Sequence, residues 1–267
     1  MNAPIGVFDS GVGGLSILQA LQKHLPAERF VYMADSAHAP YGERDSAFVL
    51  ERARHVLNLM RTQYGVKALV VACNTATALA IQDLRSDCPD MPILGVEPAI
   101  KPAAFQSKTK RVGVMATPAT LQSDKFQTLL KSLSGEAEFV LQGCEGLADA
   151  IEQQWQHSDD SAVRALCEKY IHAMGAFGTG PGQLDTLVLG CTHYPFAMGI
   201  LRGLVGEAVD ILETGEPVAR QTFKVLKERG LLVADAWAVD TGLGSVELVA
   251  TGDATSLQNA AHMWLRN

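Results

Sequence analysis

Leu69-Val70-Val71-Ala72-Cys73-Asn74-Thr75 and, far along the chain, Leu187-Val188-Leu189-Gly190-Cys191-Thr192-His193 follow one plan. Each is a short apolar run that closes on a cysteine and continues through polar residues into an amphipathic stretch, Ala76 to Leu84 in the first case and Phe196 to Leu204 in the second. A short apolar run bounded by turn formers reads as a buried strand, and a strand that leads into a helical period reads as part of a βαβ unit. In open α/β sheets ligands gather beyond the carboxyl ends of the strands, which is where both cysteines are expected. Two lobes facing each other would set them across one cleft.

The alternation extends outward from these two segments. Ile5-Gly6-Val7-Phe8 precedes the amphipathic stretch Leu15 to Leu25, Val112 to Met115 precedes an amphipathic segment from Ala119 to Leu133, and Ala208 to Leu212 precedes the helical pattern of Val218 to Leu226. The reading is α/β, with mainly parallel sheets flanked by helices. The 267 residues exceed the usual size of one domain, so two lobes are expected. Glu97-Pro98 and Lys101-Pro102 mark the crossing to a second lobe, and the region from Asp210 to Gly215 marks the return. The division is therefore 1–97 plus 210–267 for the first lobe and 98–209 for the second. Four glycines and a proline between Gly175 and Gly182 make that stretch a loop ahead of a buried strand.

With 48% hydrophobic and 19% charged residues the composition is that of an ordinary folded protein. A net charge of −7 and no Lys/Arg stripe argue against nucleic acid as a partner. The N-terminus has no basic leader and meets Asp9 early, which argues against export. Thr186 to Leu201 is too short for a bilayer span and carries Thr192, His193 and Pro195, so no membrane helix is expected. The 5 cysteines, at 73, 88, 144, 167 and 191, form no close pair of the kind that holds zinc or closes a redox loop. A metal-free protein of the reducing cytoplasm fits this usage.

A single cysteine at a strand end is usually a small buried hydrophobe, but the duplication favours chemistry. Helix N-termini lower thiol pKa values, and their N–H groups hold carboxylates. Racemisation of an amino acid needs a base on one face of Cα and an acid on the other, and a thiolate with a thiol meets that need. A free thiol, with a pKa of about 8.5, is only a few per cent ionised at neutral pH, so neighbours must tune the pair. Asp9 and His193 are the candidates for that tuning. Taken singly, Asp9 reads equally well as a cap before Gly11-Val12-Gly13-Gly14, and His193 as a hydrogen-bonded loop histidine.

Three other readings compete. Gly11, Gly13 and Asp35 approximate a dinucleotide fingerprint, but Ser16 stands where a third glycine or alanine belongs, leaving at most an anion-binding nest. A thiol hydrolase would use Cys191 as nucleophile and His193 as base, and would tolerate Cys73→Ser. A two-lobed amino-acid receptor would bind without exchanging the α-proton. No lysine lies in the motifs to hold pyridoxal phosphate, the usual electron sink, so no cofactor is expected.

Four ordered motifs resemble the aspartate/glutamate racemase superfamily, on its glutamate side: Phe8-Asp9-Ser10-Gly11-Val12-Gly13-Gly14, Asp35-Ser36-Ala37-His38-Ala39-Pro40-Tyr41-Gly42, Ala72-Cys73-Asn74-Thr75-Ala76, and Leu189-Gly190-Cys191-Thr192-His193-Tyr194-Pro195. The resemblance implies two pseudosymmetric lobes with the site in the cleft between them, interconversion of L- and D-glutamate, and supply of D-glutamate to peptidoglycan synthesis. It also implies a homodimer. It assigns proton transfer to Cys73 and Cys191, and places Asp9, Ser10, Tyr41, Gly42, Asn74, Thr75, Thr192 and His193 around the amino acid. Glu152 matches a second-lobe glutamate near the family's active site, although the residue alone reads as a solvated helix carboxylate. Leu212-Glu213-Thr214-Gly215-Glu216 departs from the family, which has Asp-Ser or a similar pair at Glu213-Thr214. No long N-terminal extension of the type found in members regulated by a peptidoglycan precursor is present, so that activation is not expected.

Overall fold

The structure is a computed structural model that describes residues 3–157, 159–233 and 245–265. The chain begins with β1 (Ile5–Asp9), α1 (Leu15–His24), β2 (Phe30–Ala34), α2 (Ser46–Thr62), β3 (Ala68–Val71), α3 (Asn74–Asp87) and β4 (Ile93–Gly95). It continues through α4 (Ile100–Gln106), β5 (Arg111–Ala116), α5 (Pro118–Gln122), α6 (Asp124–Ser132), β6 (Glu138–Gly143), α7 (Leu147–His157), α8 (Ser161–Met174), β7 (Thr186–Gly190), α9 (Met198–Val205) and β8 (Asp210–Leu212). It closes with α10 (Gly215–Glu228), β9 (Val246–Ala250) and α11 (Ala254–Trp264).

Two parallel sheets result. The first has the order β4-β3-β1-β2-β9 and the second β6-β5-β7-β8. Read from the other edge, the second is β8-β7-β5-β6, which repeats the first four positions of its partner. The two lobes are thus pseudosymmetric, with β9 as an extra edge strand. In this correspondence β3 matches β7, so the residues that follow them, Cys73 and Cys191, hold equivalent places.

The central strands are apolar throughout because helices cover both faces. Ile5 and Val7 of β1 pack into one cluster with Leu15, Leu18 and Leu21 of α1 and Val218 of α10. Phe8 points to the opposite face, with Val49 and Val56 of α2 and Ala80 and Ile81 of α3. Leu187 and Leu189 of β7 face α8 through Cys167 and Ile171, while Val188 faces Ile100 and Phe126. Among the described residues no helix is long and apolar enough to cross a membrane.

Three expectations are corrected. The segment 119–133 is two helices, because Ser123 is extended (φ −65°, ψ 142°) and its hydroxyl caps α6 by accepting from the Phe126 N–H. Asp210–Leu212 does not open the returning lobe: β8 pairs with β7 in the second sheet, and the chain returns only at α10, which packs on α1. Phe196 lies in a 3₁₀ turn, Tyr194–Ala197, so no α-helix starts directly after Cys191. The stretch 175–182 is irregular, with positive φ at Gly175, Gly178 and Gly182.

Candidate active site

The carboxyl ends of β1, β3, β5, β6 and β7 converge on a cavity of about 190 Å³. That is below the usual 300–1,000 Å³ of drug-sized ligand sites and suits one small metabolite, not a dinucleotide. Ser10, Tyr41, Gly42, Cys73, Asn74 and Thr75 line it from the first lobe, and Glu152, Cys191, Thr192 and His193 from the second. Asp9 stands one layer behind the wall. No lysine lines the cavity, and no cluster of three potential metal ligands occurs among the described residues.

Cys73 is the N-cap of α3, and its sulfur accepts from the Ala76 N–H at 3.4 Å. A thiol there is expected to ionise easily. The opposite holds: burial, followed by the charge of Asp9, pushes Cys73 up to about 12 despite the helix N–H. The thiol in turn donates to Ser10 Oγ at 3.8 Å. Asp9 itself is fully buried and raised by that burial, even though the Gly11 N–H donates to Oδ1 at 2.7 Å and the Thr192 hydroxyl to Oδ2 at 3.1 Å. This last bond crosses between the lobes.

Cys191 has a different neighbour. Its sulfur lies 3.7 Å from His193 Nδ1, and His193 Nε2 lies 2.7 Å from Glu152 Oε1. Burial pulls the His193 pKa down, but the bonds to Cys191 and Glu152 outweigh it and hold the ring well above its ordinary value. Glu152 is lowered against its own burial by His193 and by the Val12 N–H, which donates to Oε1 at 3.1 Å. Glu152 is therefore not a solvated helix carboxylate but part of a relay that reaches the second thiol.

The glycine loop after β1 is explained by the same relay. A Cβ on Gly11 would stand 1.8 Å from Glu152 Oε1, and one on Gly13 would stand 2.4 Å from His193 Nδ1. The space a nucleotide loop would give to phosphate is filled by the second lobe's own side chains. The loop's Gly11 and Val12 N–H groups donate instead to the carboxyl groups of Asp9 and Glu152.

Asp35 also departs from the nucleotide reading. Its buried carboxylate accepts from the Tyr41 hydroxyl at 2.5 Å, Arg52 Nε and Nη2 at 2.9 Å, and Thr251 Oγ1 at 2.8 Å. The Tyr41 hydroxyl is thereby committed, so Tyr41 offers the cavity its backbone and ring only. Leu212 to Glu216 stay away from the cavity: Glu213 and Glu216 line a separate groove with Ser16, Lys23 and Pro195.

Among the lining residues that escaped the sequence reading are Thr117 and Cys144. Thr117 follows β5, caps α5, and shares a hydrogen bond with Thr75 Oγ1 at 3.0 Å across the lobes. The run Val112 to Ala116 before Thr117-Pro118 carried the signal, since it is another strand end at a helix entrance. Cys144 follows β6 and lines the cavity as a buried third thiol, raised by burial. No such signal marked it, because β6 is a half-exposed edge strand. Asn74 Oδ1 is buried with no hydrogen-bond partner among the described residues, while its Nδ2 donates to Val96 O at 3.4 Å.

Comparison with known proteins gives one answer. The family described as Asp/Glu/Hydantoin racemase matches residues 5–221. A glutamate racemase of Pseudomonas entomophila is 47% identical over 240 residues, covering 90% of this chain and 87% of that protein. A solved glutamate racemase isoform of Bacillus anthracis superposes with a TM-score of 0.84 at 29% identity, covering 99% of this chain and 94% of the other. The Francisella tularensis glutamate racemase, solved in complex with D-glutamate, superposes with a TM-score of 0.80 at 25% identity, covering 100% and 94%.

Proposed function

The chain belongs to the Asp/Glu/hydantoin racemase family, and from that premise we propose that it is a cofactor-independent glutamate racemase working by two cysteine bases. The observation that carries the proposal is the pair of thiols: Cys73 and Cys191 close equivalent strands of the two sheets and line one small cavity. In the resting form Cys73 is the neutral acid, and the His193 ring, held toward its protonated form, faces the sulfur of Cys191 at 3.7 Å. The Cys191 thiolate takes the α-proton from one face of glutamate, and the Cys73 thiol gives its own proton to the other face. The product is the opposite enantiomer, and the reverse turnover exchanges the roles.

Asn74 Oδ1, an acceptor without a donor, suits the substrate ammonium. The Thr75, Thr117 and Thr192 hydroxyls suit carboxylate oxygens, and Ser10 with the backbone at 41–42 takes the far end of the molecule. Such fixed donors stabilise the carbanionic carboxylate as charge develops. Asp9 tunes Cys73, while Glu152 and His193 tune Cys191. The working lobes are 1–97 with 213–267 and 98–212. By likeness to its relatives the protein acts in the cytoplasm as a homodimer and supplies D-glutamate for peptidoglycan synthesis, hence for cell-wall biogenesis and cell shape.

The test is incubation of purified protein, free of metal and pyridoxal phosphate, with L-glutamate in D₂O. Optical rotation and deuterium at Cα are followed together. Loss of rotation with one deuterium entering per inversion is the expected result. Folded protein that binds glutamate yet yields neither signal would overturn the assignment.

A further inference from the structure

One peptide unit, between Gly11 and Val12, joins two hydrogen bonds that the two-thiol reading leaves unused. Its carbonyl, Gly11 O, accepts from the Tyr32 hydroxyl at 2.7 Å. Its N–H, on Val12, donates to Glu152 Oε1 at 3.1 Å. Glu152 Oε1 continues to His193 Nε2 at 2.7 Å, and His193 Nδ1 to Cys191 Sγ at 3.7 Å. Tyr32 is wholly buried on β2, on the first-lobe side of the loop.

We propose that Tyr32 is a positioning residue for Cys191: its hydroxyl locks the Gly11–Val12 peptide so that the Val12 N–H holds Glu152 on His193. The proposal rests on the two-thiol reading and adds a residue outside the cavity wall. Three physical points support it. Gly11 has no Cβ, so the peptide on its carbonyl side turns over at low cost unless something holds it. The hydroxyl is what holds it, because Gly11 is buried and its carbonyl would otherwise lose its partner. A hydrogen bond to a peptide carbonyl also polarises the N–H of the same unit and strengthens its donation.

The hydrogen-bond chain from Tyr32 leads to Cys191, while Asp9 and Cys73 act on the hydroxyl by charge and not through that peptide. Asp9, which faces Cys73, is held by the Gly11 N–H, and that N–H belongs to the preceding peptide unit. Turning the Gly11–Val12 unit leaves it in place.

The experiment compares alkylation rates of Cys73 and Cys191 by iodoacetamide, read peptide by peptide by mass spectrometry, in the wild type and in Tyr32→Phe. The substitution removes one oxygen atom. The expected result is a roughly three- to tenfold slower reaction at Cys191, the scale of one net hydrogen bond, with a smaller change at Cys73. Equal slowing at both thiols would make Tyr32 a general support of the fold, and no slowing would leave it no role; either overturns the proposal. A double-mutant cycle in turnover gives the second check. Tyr32→Phe should cost little more once Glu152→Gln is present, and full additivity would break the chain. Racemisation that survives Cys191→Ser would sink the two-thiol reading, whereas the alkylation comparison needs no turnover.

Discussion

The two halves of the site hold the same amino acid at the same place in the same strand order and tune it in different ways. Cys73 sits on a helix N-terminus with a buried carboxylate behind it, and stays a thiol at about 12. Cys191 is followed by a 3₁₀ turn in place of an α-helix and faces an imidazole bound to Glu152. Repetition of the fold thus placed the thiols, and on the two-thiol reading proposed above their different neighbours would make one the acid and set the other against a cation.

The largest effect should come from breaking either half. Cys73→Ser and Cys191→Ser should each cut turnover by about 10²- to 10⁴-fold, the range of a lost general acid or base. Because enantiomers are equal in free energy, kcat/KM falls alike in both directions, so the halves are told apart by exchange. In D₂O each variant should deuterate only the enantiomer facing its surviving thiol, without inversion, and the two variants should differ in which one. The Cys191–His193–Glu152 relay alone is also what a thiol hydrolase would carry. An amidase or esterase activity that persists in Cys73→Ser would favour that reading.

Next comes the contact that joins the halves. Gly11→Ala places a methyl 1.8 Å from Glu152 Oε1, which must leave Val12 and His193. A loss of about a hundredfold in kcat is expected from disorienting one proton-transfer group. Gly199→Ala, in α9 of the second lobe with nothing within 4 Å, should leave kcat unchanged and raise the melting temperature slightly. Equal behaviour of the two alanine variants would show that the lobes do not meet through Glu152 during turnover.

A finer comparison concerns pH. His193 is held above its ordinary value partly by Glu152, so removing that charge lowers it. If turnover needs the imidazolium, the alkaline limb of the rate profile moves to lower pH in Glu152→Gln. Asp9 acts on His193 through charge alone, without the hydrogen bond that Glu152 makes to the ring, so Asp9→Asn should move that limb less. A shift of equal size in both variants, measured on initial rates, would dissolve the distinction between the two tuning systems.

The architecture was legible because parallel strands covered on both faces are written as unbroken apolar runs, and β1, β3, β5 and β7 all were. Cys73 and Cys191 stood out because each ends such a run. The return at β8 was misplaced since Asp210-Ile211-Leu212 is too short to show which sheet it joins. Glu152 was harder still: its hold on Val12 and His193 is a contact between lobes, and no local pattern encodes it. Asp35 is the reverse case, where a spacing shared with nucleotide-binding proteins, set aside at the sequence level for want of a third glycine, serves a brace for Tyr41. What joins distant segments through side chains has no period to read.

The smallest expected effect compares two buried carboxylates, one in each lobe. Asp35 closes the cavity side of the first sheet. Burial alone would raise it, but Arg52, Tyr41 and Thr251 hold it down at about 2, against 3.8 for a free carboxylate. Its folded pKa is depressed, so its contribution is complete above the unfolded value and drains away as pH falls from 3.8 toward 2. That difference corresponds to about 2 kcal/mol at neutral pH. Asp185 begins β7 at the opposite end of the second sheet, where Ser107 Oγ donates at 2.6 Å and the Lys108 and Thr109 N–H groups at 2.7 and 2.9 Å. It too is lowered against its burial. Both anchors therefore weaken in acid, but only Asp35 supports the cavity wall. Urea unfolding of Asp35→Asn and Asp185→Asn at pH 7 and pH 3 should show each variant losing less stability than the wild type between the two. KM for glutamate should rise in Asp35→Asn alone; a rise of the same size in Asp185→Asn would mean that the lobes share one stability and that Asp35 has no particular hold on Tyr41.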